Sequence, residues 1–160
     1  MSLETIELPE IAVVGLKGTF ISASHEGSNA PQVIGPLWAE MSQVFFQLDL
    51  AGLELRKGIG AMWPTESGKP GEMHYFAGYE LSGIPEDVKT LEVLTIPAAK
   101  YAAVVHRGSL DGLPATTVDF YTNILPASGI ERSSGFDLEI YGDNDENGMP
   151  TTVTICAPVK

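Results

Sequence analysis

The sequence feature that most limits what this chain can fold into is a short stretch that occurs twice. "IAVVGLKGTF" (11–20) aligns without gaps on "YAAVVHRGSL" (101–110). Ala12, Val14 and Gly18 meet Ala102, Val104 and Gly108, Lys17 meets Arg107, and Thr19 meets Ser109. Each copy follows a Leu-Pro or Ile-Pro pair, at Pro9 and Pro97. The elements around the copies repeat in the same order, which makes duplication a better account than chance.

After the first copy, "GTFISASHEGSNAPQVIG" (18–35) reads as a long Gly/Ser/Asn-rich loop, of a kind that is often functional or mobile in compact domains. A helix follows, with Pro36 near its first turn. Leu37, Met41, Val44, Phe45 and Leu48 fall at helical spacing, and Gly52 is the expected stop. "GIGAMWP" and "EMHYFAGYEL" then read as two strands around a turn at "TESGKPG". Beyond the connector "SGIPEDVKT", "LEVLTIPAAKYAAVVHRG" reads as one broken strand or two short ones. A second helix is predicted over about 114–126, with Val118, Tyr121 and Leu125 on one face; "FDLEIYG" and "TTVTICAPV" close the chain as a hairpin. Strand, helix, strand, strand thus occurs twice. The expected fold is α+β: two tandem βαββ modules, about 5–82 and 90–158, related by a pseudo-twofold. They would share one mainly antiparallel sheet, with both helices on one face, as a single domain over 1–160.

Composition removes several classes of function. Acidic residues outnumber basic ones by 21 to 9, for a net charge of -12, and only Arg56 and Lys57 are adjacent. Phosphate backbones need clustered positive charge, so direct nucleic-acid binding is not expected. An acidic field favours cationic ligands or partners. The one cysteine, Cys156, lies in an apolar strand pattern and reads as a buried core thiol with no disulfide. The opening "MSLETIELPE" lacks the apolar run of a signal peptide, and no stretch approaches the ~20 apolar residues of a membrane span; the chain reads as soluble and cytoplasmic. His25, His74 and His106 show no paired ligand spacing, and no nucleotide or nucleophile-elbow fingerprint is present, so neither metal nor cofactor is expected. Asp143, Asp145, Asn147 and Gly148 match the opening of a calcium loop. Thr154 stands where the bidentate glutamate belongs, and a solvated hairpin turn is the better reading.

What remains is the chemistry of "FDLEIYG". On a strand, Leu138 and Ile140 share one face and Asp137, Glu139 and Tyr141 the other. Leu138 and Ile140 are expected to meet the helices, and pattern alone makes the acidic face a solvated one. Other strands alter that. Tyr75, Ala77 and Tyr79 share a face of "EMHYFAGYEL", and Trp63 ends "GIGAMWP". A wholly solvated face has no use for so many aromatics. Several of them near one carboxylate suggest an apolar-walled pocket with a charged anchor, suited to cations.

With these pieces in order, the chain resembles the GyrI-like small-molecule-binding family, found as effector-binding domains behind AraC-type and MerR-type DNA-binding heads and as stand-alone proteins. "ELPEIAVVGLKG", "GPLWAEM", "HYFAGYEL", "IPAAKYAAVVHRGSL", "LPASG", "FDLEIY" and "TVTICAPVK" follow the family's order over almost the whole chain. The resemblance implies a ligand pocket between the two modules, with Glu139 matching the buried acid that multidrug-binding members use for lipophilic cations. It implies Tyr141, Tyr79, Tyr75 and Trp63 as aromatic neighbours, with His106 a further candidate. Ile155 and Cys156 depart from the pattern, standing where many members carry an aromatic. The expected role is a ligand sensor or sequestrant without a DNA-binding head. The alternatives are a hydrolase of strained-ring genotoxic compounds, with Glu139 activating water and Tyr141 positioning substrate, and a protein-binding inhibitor of the gyrase-inhibitor type. Exposed strand edges would allow a homodimer.

Overall fold

A computed structural model of the chain describes residues 1–22, 25–47, 55–82 and 91–160. Strand β1 (Glu4–Leu8) leads into β2 (Ile11–Ile21), helix α1 (Ala30–Gln47) and the hairpin β3 (Leu55–Pro64) and β4 (Glu72–Leu81). The order then repeats as β5 (Glu92–Ile96), β6 (Ala99–Arg107), a helical stretch, β7 (Asp137–Tyr141) and β8 (Thr152–Pro158). The helical stretch is α2 (Leu113–Asp119), a π turn (Phe120–Ile124) and α3 (Leu125–Ser128) set end to end. It stops at Gly129, whose φ of 73° is the left-handed cap that glycine adopts without penalty.

All pairings are antiparallel, in the order β1-β6-β8-β7-β3-β4-β2-β5. The triplets β6-β8-β7 and β2-β4-β3 are equivalent and meet at β7–β3. The leading strands are exchanged: β1 pairs with β6 and β5 with β2. This order forces a curved sheet. Only Pro9 and Glu10 join β1 to β2, a reach of at most about 11 Å. On a flat sheet the two strands, six places apart, would be separated by ~29 Å. Pro97 and Ala98 impose the same limit between β5 and β6. The sheet therefore rolls up on its helix-free face, and all eight strands feed one inner cluster. Leu8, Val13, Ala61, Phe76, Ile96, Tyr101, Leu138 and Cys156 each come from a different strand. The Pro9 and Pro97 pairs of the sequence mark these two crossings.

The outer face carries the helices. Helix α1 lies on β2 and β4, with Met41 packed on Val14 and Leu81, and Val33 and Leu37 in the cluster of Phe20 and Tyr75. The second helical stretch covers Ala102, Val104 and Ile155 with Phe120 and Leu125.

Three expectations need correction. Helix α1 begins at Ala30, so Pro36 lies inside it and only 22–29 remain between β2 and the helix. The overlooked start signal was Asn29 followed by Pro31, a cap residue and a proline in the first turn. Leu48 and Gly52, the expected helix end, lie outside the described residues. Val118 is exposed, because the wide π turn shifts the helix phase and brings Phe120 inward instead. Last, Leu138 and Ile140 face the inside of the roll, and Glu139 and Tyr141 lie on the helix side. Alternation fixes which residues share a face. It does not say which face the helices cover when both are buried.

Candidate functional site

The site forms where the two halves meet, on the helix side of β3 and β7. Glu139 faces Gly60 across β3–β7, and Gly60 faces Ala77 across β3–β4. Gly58 and Gly60, two apart, present no side chain on this face. A Cβ on Gly60 would overlap the Tyr75 hydroxyl and stand 2.7 Å from its Cζ and 3.0 Å from Glu139 Oε1. A Cβ on Gly58 would meet Tyr79, Trp38 and Tyr141 at ordinary contact distance. The two glycines open the floor on which four aromatic rings and one carboxylate converge.

The hydrogen bonds run one way through the site. Trp38 Nε1 donates to the Tyr75 hydroxyl over 2.9 Å, and that hydroxyl donates to Glu139 Oε1 over 2.6 Å. The Tyr141 hydroxyl donates to the same oxygen over 3.2 Å. Trp38 also stands edge-on to Tyr141 and Tyr79, with ring centroids 5.1 and 5.9 Å apart. Tyr75 is fully buried and braced by Phe20, edge-on at 5.9 Å.

Glu139 is only 7% exposed. Burial raises its carboxyl pKa, and the Tyr75 and Tyr141 hydroxyls pull it partly back. Among the described residues no ion pair includes Glu139. Burial, and then the Glu139 charge, holds the Tyr75 and Tyr141 hydroxyls well above their ordinary range, so both remain proton donors.

The next outward-facing residue on β7, Asp137, has its own surroundings. Arg132 donates to its Oδ1 over 2.5 Å and lies over the Tyr121 ring, 5.2 Å from the centroid. Burial raises the Asp137 pKa against the pull of Arg132.

Of the residues expected at the site, Glu139, Tyr141 and Tyr75 are joined directly by hydrogen bonds, and Tyr79 joins through Trp38. Trp63 does not. It points into the roll, against His74 and Phe136 at 5.1 Å each, because it is an odd number of residues from Gly60. His106 lies on the helix side but beneath α2, separated from β7 by β8. Its Nε2 donates to the Ser109 carbonyl and its Nδ1 accepts from the Thr116 hydroxyl, both at 2.8 Å, so both ring nitrogens are engaged. Trp38 was missed. Its signal was present: positions 38, 41 and 45 continue the apolar stripe of α1. A groove of about 740 Å³ lies away from Glu139, along β1 and β6, with Glu4, Ile6, Arg107 and Thr116 on its walls. The Glu139 site itself is closed by Trp38 and Tyr141.

The fold is thus a rolled antiparallel sheet whose two halves bury one carboxylate among aromatic rings. The chain belongs to the family of the GyrI-like small molecule binding domain, which matches residues 1–160. The transcriptional regulator BrlR of Pseudomonas aeruginosa is 30% identical over 147 residues, which are 88% of this chain and 48% of BrlR. The chain thus spans about half the length of that regulator. Among solved structures, SAV2435 bound to tetraphenylphosphonium superposes with a TM-score of 0.75 at 22% identity, covering 100% of this chain and 94% of that one. The C-terminal domain of EcmrR gives 0.67 at 18% identity, covering 99% and 97%. These two likenesses establish the fold. Among the described residues no helix is long and apolar enough to cross a membrane, and no cluster of metal-ligating side chains occurs.

Proposed function

We propose that this protein binds lipophilic organic cations at Glu139, as a sensor or sequestrant, with Trp38, Tyr75, Tyr79 and Tyr141 as the aromatic walls. The observation that carries this is a buried carboxylate with no counter-ion among the described residues. Such a charge is costly to bury alone. Two phenol hydrogen bonds offset part of the cost and a cation would offset more, through Coulomb attraction and the π faces around it. Entry requires Trp38 and Tyr141 to part. SAV2435, which shares the fold, was solved with tetraphenylphosphonium, a cation of this class.

The test is calorimetric titration with tetraphenylphosphonium and with a neutral tetraaryl analogue of matching size, for the wild type and Glu139→Gln. The cation should lose at least about tenfold in affinity in the variant, the worth of ~1.4 kcal/mol, and the neutral compound little. Equal losses for both would remove the role of charge. Recovery of the titrated compound intact distinguishes binding from hydrolysis.

A further inference from the structure

Beside Glu139, the same face of β7 carries a second carboxylate that already holds a cation, and that cation belongs to the chain itself. Asp137 and Glu139 are two residues apart on one strand face, so their Cα atoms are ~7 Å apart. Over Asp137 lies the guanidinium of Arg132, bonded to Oδ1 and seated on the Tyr121 ring. A carboxylate and a ring face together are the elements of an organic-cation site. The occupant is loosely placed: the Arg132 side chain is 47% exposed, whereas that of Asp137 is 15% exposed.

Tyr121 adds its hydroxyl to the same cluster. That hydroxyl is buried and lies close enough to the Asp137 carboxylate to bond it, though short of standard geometry. After burial, Asp137 does most to keep that hydroxyl protonated, Arg132 opposes it, and Glu139 contributes least. The π turn places Tyr121 there, since it sets the ring beside Phe120 over the sheet.

We propose that Asp137 and Tyr121 form a second cation subsite next to Glu139, with Arg132 as a displaceable built-in occupant. The protein would then take rigid aromatic dications, one charge on Glu139 and the other in place of Arg132. This rests on the proposed role of Glu139 as the first cation site.

Methyl viologen and 1-methyl-4-phenylpyridinium are suitable probes, being near-isosteric with two charges and one. Binding of both would be measured by calorimetry to the wild type, Arg132→Gln, Asp137→Asn and the double variant. Arg107→Gln is the control for net charge, since Arg107 is exposed and lies outside the site. In Arg132→Gln the dication should gain roughly fivefold to tenfold over the Arg107→Gln control, the scale of a half-exposed ion pair with a cation–π contact, and the monocation should stay level with it. Asp137→Asn should weaken the dication alone, and the double variant should lose the gain. Thermal melts report whether each variant folds. If Arg132→Gln does not, the Asp137→Asn comparison decides. A dication gain no greater than in Arg107→Gln, or one that persists without the Asp137 charge, overturns the proposal. If the monocation binds through Glu139 and the dication shows no preference, the second subsite alone fails. If neither probe binds the wild type, both readings fail.

Discussion

Adding one carbon at Gly60 should disconnect the site. A Cβ there overlaps the Tyr75 hydroxyl and stands 3.0 Å from Glu139 Oε1. Tyr75 cannot swing aside, since its ring is fully buried against Phe20 and its hydroxyl is tied to Trp38. Gly60→Ala therefore breaks the Tyr75–Glu139 bond, worth about 1.5–3 kcal/mol for a charged acceptor. It also overpacks the interior, at about 1–3 kcal/mol. Replacing a strand glycine returns about 0.5–1 kcal/mol of chain entropy. The net loss is about 2–5 kcal/mol, a clear shift of the urea midpoint at unchanged slope. Gly18→Ala is the matched control. Gly18 faces Tyr75 across β2–β4, but a Cβ there meets only Leu37 at 3.4 Å and Val33 at 3.5 Å. That variant should be neutral or slightly more stable. Equal midpoints for the two alanine variants would refute the claim that Gly60 is required by the Tyr75–Glu139 contact.

Further tests follow from the same geometry. Glu139 has a folded-state pKa above its unfolded value, so the native state binds the extra proton. Stability should fall as pH rises from the unfolded pKa near 4.5 through the folded one and stay lower above it. Urea denaturation of Glu139→Gln across that range should lack this component, and parallel curves for the two proteins would contradict it. Burial pushes the Cys156 thiol up to about 12, so a disulfide reagent at pH 8 should label it only in denaturant; prompt labelling of the native protein would count against its place inside the roll. His106→Ala leaves the Thr116 hydroxyl and the Ser109 carbonyl without their partner and should cost about 1–3 kcal/mol with cation affinity unchanged. A matching loss of affinity would place His106 in the ligand site after all.

Much of this was legible in the sequence because duplication and strand alternation are local patterns. The repeat at 11–20 and 101–110 yielded the element order, and the spacing of Tyr75 and Tyr79 yielded a shared face. The side of the sheet was not legible. Leu138 and Glu139 are both buried, one inside the roll and one under helices, and alternation is the same either way. Trp63 was assigned to the site for its chemistry, whereas its position, three residues from Gly60, sets it on the opposite face of β3. The π turn left no mark in the apolar spacing, so Val118 was read as inward and Phe120 passed over. The strand exchange is a pairing between distant segments. Its only sequence trace was a proline at each crossing.

That exchange has a consequence for how such a site could arise. A chain of half this length, assembled as a pair with each copy lending its first strand to the other, would draw the same sheet. In a true pair, strict symmetry would duplicate every residue about the axis, and a glutamate near the centre would confront its own image. Covalent fusion lifts that constraint. Here β7 brings Glu139 beside the centre, and the equivalent place on β3 is held by Gly58. One charge and the room beside it occupy places that a symmetric dimer would have to fill alike.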